Sequence, residues 1–243
     1  MAVNVDTVYQ RVLSLANKEQ RGYITPQEYN LYANQAQMEI FEQYFYDINQ
    51  FGRMIGNNTD YSDMIKILEE KITIFETDQD VPSGNVIALP DNLYRLGTIM
   101  ARTAKNGTSW AQVEMLSRKE FDLMRYTKLA KPTPERPVMY KSGNTITMIR
   151  GMNGEQTMDV LPSDFDINIQ YVRTPDRVTW GYVVVNEKSL YNANSSTNFE
   201  LHPSDETELV YRILKLAGIN LNKAEVVQVG QALETQQIQQ EKQ

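Results

Sequence analysis

Apolar positions along the chain change rhythm twice. Val5, Val8, Tyr9, Val12, Leu13 and Ala16 recur at helical spacing and predict a first helix from Val3 to Ala16. Tyr29, Tyr32, Ala33, Ala36, Ile40, Phe41, Tyr44, Phe45 and Ile48 then form a continuous stripe over roughly five turns. A stripe so rich in aromatic rings predicts heavy packing on another helix, within the chain or across an interface between chains. A third helix is expected from about Tyr61 to Phe75, with Met64, Ile65, Leu68 and Ile72 on one face.

From Val86 the pattern becomes that of strands with turn punctuation. NVIALP, LYRLGTIMARTA and WAQVEML read as strands, and Asn106-Gly107 as a hairpin turn. A short helix, SRKEFDLMRY, follows with Ser117 as its cap. The segment from Pro132 to Pro137, PTPERP, is expected to be stiff and extended. PVMYKSGNTITMIR turns at Ser142-Gly143-Asn144, and QTMDVLPSDFDINIQYVR is a second hairpin-like stretch. GYVVVNEKSLYNANSSTNFEL reads as a strand running into a polar, exposed loop near 186–198.

The helical rhythm then returns. Ser204 caps a helix with Asp205, Glu206 and Glu208 in its first turn, where acids suit the positive end of the dipole. Leu209, Val210, Ile213, Leu214 and Ala217 form its apolar face and Gly218 its stop. A last helix from about Lys223 carries Val226, Val229, Leu233 and Ile238 and fades into a Gln-rich tail that has almost nothing to bury alone. The expected class is α+β, with N- and C-terminal helices packed as a bundle and a central antiparallel β region of hairpins. The parts are a helical 1–82, a β region 83–200 with one short helix, and helices with tail over 201–243, forming one composite unit.

Composition narrows the chemistry. Cysteine is absent and His202 is the single histidine, which excludes disulfides, thiol catalysis, zinc-thiolate sites and multi-histidine metal sites. No apolar run is long enough to cross a bilayer, and MAVNVDTVYQRV enters a helical pattern directly, without a signal segment. The net charge of −7 is unevenly spread. Residues 1–94 hold six Lys/Arg against fourteen Asp/Glu, residues 95–141 ten against four, and residues 142–243 eight against thirteen.

NKEQRGYITPQEY places Gly22, Ile24 and Glu28 where an EF-hand loop would need them. Asn17 and Arg21 occupy ligand positions, however, and a guanidinium repels the ion, so calcium is excluded. The same residues are explained by a turn at Gly22, an N-cap at Thr25, Pro26 at the first helical position and Glu28 closing a capping box. HPSDE, from His202 to Glu206, reads as a capped helix start, since neighbours on a helix start do not face one another as a triad must. No glycine-rich phosphate loop occurs. No catalytic, metal or cofactor site is expected. The basic stretch 95–141 interleaves its charges with Tyr94, Trp110, Phe121 and Tyr126, a composition that suits a nucleic-acid groove or an acidic protein partner.

Three stretches together resemble the head-to-tail adaptor and tail-tubular ring proteins of short-tailed bacteriophages, those of crAss-like phages above all. They are NKEQRGYITPQEYNLYANQAQMEIFEQYF; the β core with IALPDNLYRLGTIM, ERPVMYKSGNTITM and INIQYVRTP; and FELHPSDETELVYRILKLAGINL with its Gln-rich tail. The resemblance implies a non-enzymatic virion subunit, assembled in the host cytoplasm, in a ring of twelve-fold symmetry around the DNA channel. Its partners would be copies of itself, the portal protein, adjacent tail or ring proteins, and passing DNA contacted without sequence specificity. On that reading the candidate interface residues are Tyr29, Tyr32, Phe41, Tyr44, Phe45, Arg118, Lys119, Arg125, Val226, Val229, Leu233 and Ile238. The alternative is a nucleic-acid-associated module using residues 95–141.

Overall fold

The computed structural model describes residues 3–17, 24–53, 59–82, 86–102, 109–127, 129–149 and 166–220, with Ala232 and Thr235 beyond them. In chain order the elements are α1 (Val5–Asn17), α2 (Pro26–Arg53), α3 (Thr59–Thr73), β1 (Glu76–Pro82), β2 (Val86–Ala88), β3 (Leu93–Arg102), β4 (Trp110–Gln112), β5 (Glu114–Met115), α4 (Arg118–Tyr126), β6 (Val138–Ser142), β7 (Thr145–Ile149), β8 (Asp166–Arg173), β9 (Tyr182–Val185), β10 (Lys188–Tyr191) and α5 (Glu206–Asn220). They form an α+β fold with two compact units, Met1–Ile74 with Pro175–Gln243, and Phe75–Thr174. The divisions fall at 74/75 and 174/175, whereas the sequence pattern placed them at 82/83 and 200/201. Two segments account for the shift. Residues 76–82 pair as a strand with β8, and Val178, Trp180, Phe199 and Leu201 are buried in the helical unit.

The first unit gathers α1, α2, α3 and α5 around one apolar interior. Val5, Val8 and Val12 of α1, Tyr29, Ala33, Ile40 and Phe41 of α2, Leu68 and Ile72 of α3, and Leu209, Ile213 and Leu214 of α5 are buried. Side chains start the helices. The Asn4 carboxamide oxygen accepts from the Asp6 and Thr7 N–H groups at 2.8 and 3.1 Å. Thr25 Oγ1 accepts from the Glu28 N–H at 3.3 Å, and the Glu28 carboxylate accepts from the Thr25 N–H and hydroxyl at 3.1 and 2.7 Å. That is the expected capping box. Its hydrogen bonds, the Thr25 hydroxyl first, hold the Glu28 carboxyl below the usual range.

The start of α5 differs from expectation. His202 is the cap, with Nδ1 accepting from the Ser204 N–H at 3.3 Å, and Pro203–Asp205 form a single 3-10 turn before the helix. Gly218 lies inside α5, which runs on to Asn220. The stretch expected as an exposed loop near 186–198 holds the turn and return strand of a hairpin, β9–β10. Asn186 and Glu187 make its two-residue turn, with φ of 48° and 63° at the two central positions, as a type I′ turn requires.

The second unit is a sandwich of two four-stranded sheets, ordered β1-β8-β3-β4 and β2-β7-β6-β5. Pairs are antiparallel except β5–β6, which is parallel. Ile99, Ile167 and Ile169 of one sheet meet Ile87, Met139, Ile146 and Met148 of the other in a single cluster. The chain changes sheets at Val113. Its N–H donates to the Ile99 carbonyl at 2.8 Å in the first sheet, and the next N–H, of Glu114, donates to Pro137 in the second at 3.0 Å. α4 starts with a second capping box, between Ser117 and Glu120, and packs Phe121 on Val138, Ile149 and Tyr140.

Two local features of this unit follow from single residues. β6 and β7 join through Gly143-Asn144, with Gly143 at φ +60°. PTPERP is a tight turn, not an extended rod, because Thr133 and Arg136 exchange backbone hydrogen bonds of 3.3 and 2.9 Å around Pro134-Glu135. Proline at the first central position pre-sets that turn.

Candidate assembly surfaces and the buried polar braces beneath them

The aromatic stripe of α2 resolves into core. Tyr29, Phe41 and Tyr44 are buried within the chain and offer no surface to a partner; Tyr32 and Phe45 are half-buried. The physical reason is that each large ring already has its contacts. The Tyr29 ring packs tilted against Tyr9, centroids 4.6 Å apart, and its hydroxyl donates to the Val5 carbonyl at 3.1 Å. Burial pushes the Tyr29 phenol well above its ordinary pKa, with Tyr9 and Asp6 adding to the effect. Phe41 meets Phe45 edge-on at 5.2 Å. Val226, Val229, Leu233 and Ile238, and the hairpin turn at Asn106-Gly107, lie outside the described residues.

The polar face of α2 holds an extended segment of the chain. Asn34 accepts from the Val178 N–H at 2.9 Å and donates to the Val178 carbonyl at 2.8 Å. One turn earlier, Asn30 accepts from the Trp180 N–H at 2.7 Å and donates to its carbonyl at 3.4 Å. Gln37 donates to the Asp176 carbonyl at 2.8 Å and accepts from the Glu200 N–H at 3.2 Å. The ladder works because two lengths match. Four helical residues rise about 6 Å, and two extended residues span about 6.5 Å, so side-chain amides at i and i+4 reach alternate residues of an extended chain. A helix here stands in for a neighbouring strand. Trp180 is thereby seated beside Tyr9 at 4.4 Å, its indole N–H on Asp6 at 2.9 Å.

Two buried charge clusters cross-link the same helices. Asp205 is fully buried, accepts from Tyr44 at 2.5 Å and Ser204 at 3.1 Å, and pairs with Lys71 at 2.6 Å. This joins α2, α3 and the entry to α5. Arg212 of α5, also buried, donates to Glu208 at 2.8 Å and to Gln43 of α2. Glu39 lies 3.8 Å from the same guanidinium. The sequence pattern places Asp205 and Glu208 in a first helical turn, where the dipole favours acids, and does not by itself reveal their buried partners. A signal was present: Lys71 falls seven residues after Met64 and three after Leu68, on the apolar face of α3.

Among the described residues, two exposed surfaces combine apolar or aromatic side chains on neighbouring elements. On β9–β10, Val183, Val184, Val185 and Leu190 are all about half-exposed, so both faces of the ribbon present apolar side chains. The other is the corner where β4, β5 and α4 meet. Arg118 and Lys119 are exposed there and Arg125 is half-buried. Guanidinium groups lie over rings, Arg102 on Trp110 at 5.2 Å, Arg118 on Tyr140 at 5.1 Å and Arg125 on Tyr126 at 5.8 Å. Among the described residues no cluster of three or more His, Asp or Glu is arranged to hold a metal ion, and no helix is long and apolar enough to cross a membrane. No protein-family model matches the chain, and no curated protein matches it either.

Proposed function

We propose that the chain is a structural, non-enzymatic subunit of a ring in a bacteriophage virion, at the junction of portal and tail around the DNA channel. The resemblance of its three stretches to head-to-tail ring proteins first suggests this. The observation that carries it is the β9–β10 hairpin, a ribbon with apolar residues on both faces and little of its own to cover them. A two-stranded ribbon is marginal by itself, and exposed apolar patches of this kind mark protein contacts. The helical unit supports it rigidly: Trp180, immediately before the ribbon, is held by Asn30, and Tyr182 and Tyr191 of the ribbon flank the Trp180 ring at 5.8 and 5.9 Å. Purified chain mixed with its portal protein should give ring-shaped particles by native mass measurement and electron microscopy. Persistent monomer with no affinity for virion components sinks this reading.

One observation favours a second reading. The arginine-on-ring pairs of the β4–β5–α4 corner match the stacking platforms of proteins that bind single-stranded nucleic acid. That reading expects a salt-dependent retardation of DNA by the chain, abolished when Arg118, Lys119 and Arg125 are neutralised.

A further inference from the structure

The single histidine of the chain stands where a proton from solvent can reach a buried carboxylate. His202 is half-buried at the entry to α5. Its Nδ1 has two donors within reach on one residue, the Ser204 N–H at 3.3 Å and the Ser204 hydroxyl at 2.8 Å. The same hydroxyl oxygen lies 3.1 Å from Oδ1 of the fully buried Asp205. That carboxylate in turn holds Lys71 of α3 at 2.6 Å and Tyr44 of α2 at 2.5 Å. Polar contacts thus run without a break from the imidazole to the brace that joins three helices.

Two of these contacts compete for one proton, because a serine hydroxyl has a single hydrogen to give. With Nδ1 bare, the ring nitrogen accepts from the Ser204 N–H. The hydroxyl proton must then also point at Nδ1, since two facing lone pairs at 2.8 Å would repel. Asp205 is left with Lys71 and Tyr44. With a proton on Nδ1, the ring becomes a donor to the Ser204 oxygen, and the hydroxyl turns its own hydrogen to Asp205. The Ser204 N–H loses its acceptor in the same step. It is the one amide of the 3-10 turn that depends on a side chain, for Pro203 has no N–H and that of Asp205 donates to the His202 carbonyl at 3.0 Å.

Backbone hydrogen bonds keep the heavy atoms in place for both patterns. The Asp205 bond to His202 and the Glu206 bond to the Pro203 carbonyl close the turn without the imidazole. Protons redistribute while the chain stays put.

We propose that His202 is a proton-operated selector: when the ring becomes an imidazolium, the Ser204 hydroxyl passes from His202 to Asp205, which uncaps the α5 turn and gives the buried carboxylate a third donor. Histidine is the side chain that ordinarily changes charge near neutral pH, so mild acid reaches α2 and α3 through one hydroxyl. The other charged groups around the turn are Lys71 behind Asp205, the Glu206–Arg11 pair that ties α5 to α1 at 2.8 Å, and Glu200, which accepts from the Asp176 N–H at 2.8 Å. The selector belongs to the helical unit and stands whether or not the chain forms rings.

The test is a nuclear magnetic resonance titration of the isotope-labelled full chain from about pH 8 to about pH 5, across the ordinary histidine range. With one histidine, the ring signal is unambiguous. The Ser204 amide and the Asp205 carboxyl carbon should both shift with the His202 ring and share its midpoint. In Ser204→Ala, the ring and the amide at position 204 should still respond, while the Asp205 response is lost. In His202→Asn, where an uncharged side chain caps the turn, the responses at 204 and 205 should both disappear. An Asp205 signal that ignores the ring titration in the unaltered chain overturns the selector, as does a Ser204 amide that ignores it. An Asp205 response of undiminished size in Ser204→Ala overturns it too, because the imidazolium charge would then act through space and not through the hydroxyl.

Discussion

The two units solve the same problem with different materials. The sandwich is one continuous stretch, Phe75–Thr174, held by strand ladders around an interior of Ile and Met. The helical unit must hold together two stretches far apart in sequence, and it does so with buried polar groups: three side-chain amides on residues 176–200, Lys71 on Asp205, and Arg212 on Glu208 and Gln43. Apolar packing is tolerant of exact partners, whereas a buried polar group is favourable only while its particular partner is present. The helical unit should therefore be the more brittle to single substitutions and the more open to paired rescue.

The largest effect should come from Lys71→Met. Removing the ammonium leaves the fully buried Asp205 carboxylate unpaired, and breaking such a pair costs about 3–5 kcal/mol. Lys71→Met/Asp205→Asn should recover more than half of that, since the neutral carboxamide still accepts from Tyr44. Chemical denaturation of the three chains checks it. If the double variant is no more stable than the single, charge pairing is not what the cluster contributes.

Asn34→Ala comes next, at about 2 kcal/mol, because it strands both the N–H and the carbonyl of Val178. Hydrogen exchange should show the Val178 amide losing protection. The matching change in the sandwich is milder. Ile169→Val removes one methylene from a fully buried site, which costs about 1 kcal/mol. If Ile169→Val proves the more damaging of the two, the contrast between brittle and tolerant units fails.

What was legible in the sequence follows the same divide. Periodicity reports burial of apolar residues, so α1, α2, α5 and the strands facing the sandwich core showed themselves, as did the Thr25–Glu28 capping box, the Ser117 cap and the Gly143 turn. β1 did not, because ETDQDVP is an exposed edge whose register is set only by pairing with β8. β9–β10 was half-legible: VVVN reads as a strand, but its return through Lys188–Tyr191 buries little that would set a pattern. The amide ladder was hidden for a sharper reason. Asn30, Asn34 and Gln37 look like the solvated face of a helix until the segment that they hold is placed against them. The stripe was correctly seen as a packing surface, and what covers Tyr29, Phe41 and Tyr44 is this chain's own interior.

The smallest predicted effect gives the cleanest comparison, because both units carry the same device. Thr25/Glu28 starts α2 in the helical unit and Ser117/Glu120 starts α4 in the sandwich. In each, hydrogen bonds to the capping hydroxyl, then to its backbone N–H, hold the carboxyl below the usual Glu range. A folded-state pKa below the unfolded one means that the carboxylate's contribution is present above the unfolded pKa and is lost as pH falls through the folded value. Glutamine can still close the box but cannot titrate. Glu28→Gln and Glu120→Gln should therefore cost a little stability at pH 7, and the deficit should vanish as the unaltered chain is acidified through the carboxylate range. Thermal unfolding against pH reads both. Similar pH dependence for the two would show the box to be a local device, indifferent to whether polar braces or an apolar sandwich lies behind it. A deficit that persists in acid at Glu28 alone would instead place that carboxylate among the interactions that tie the helical unit together.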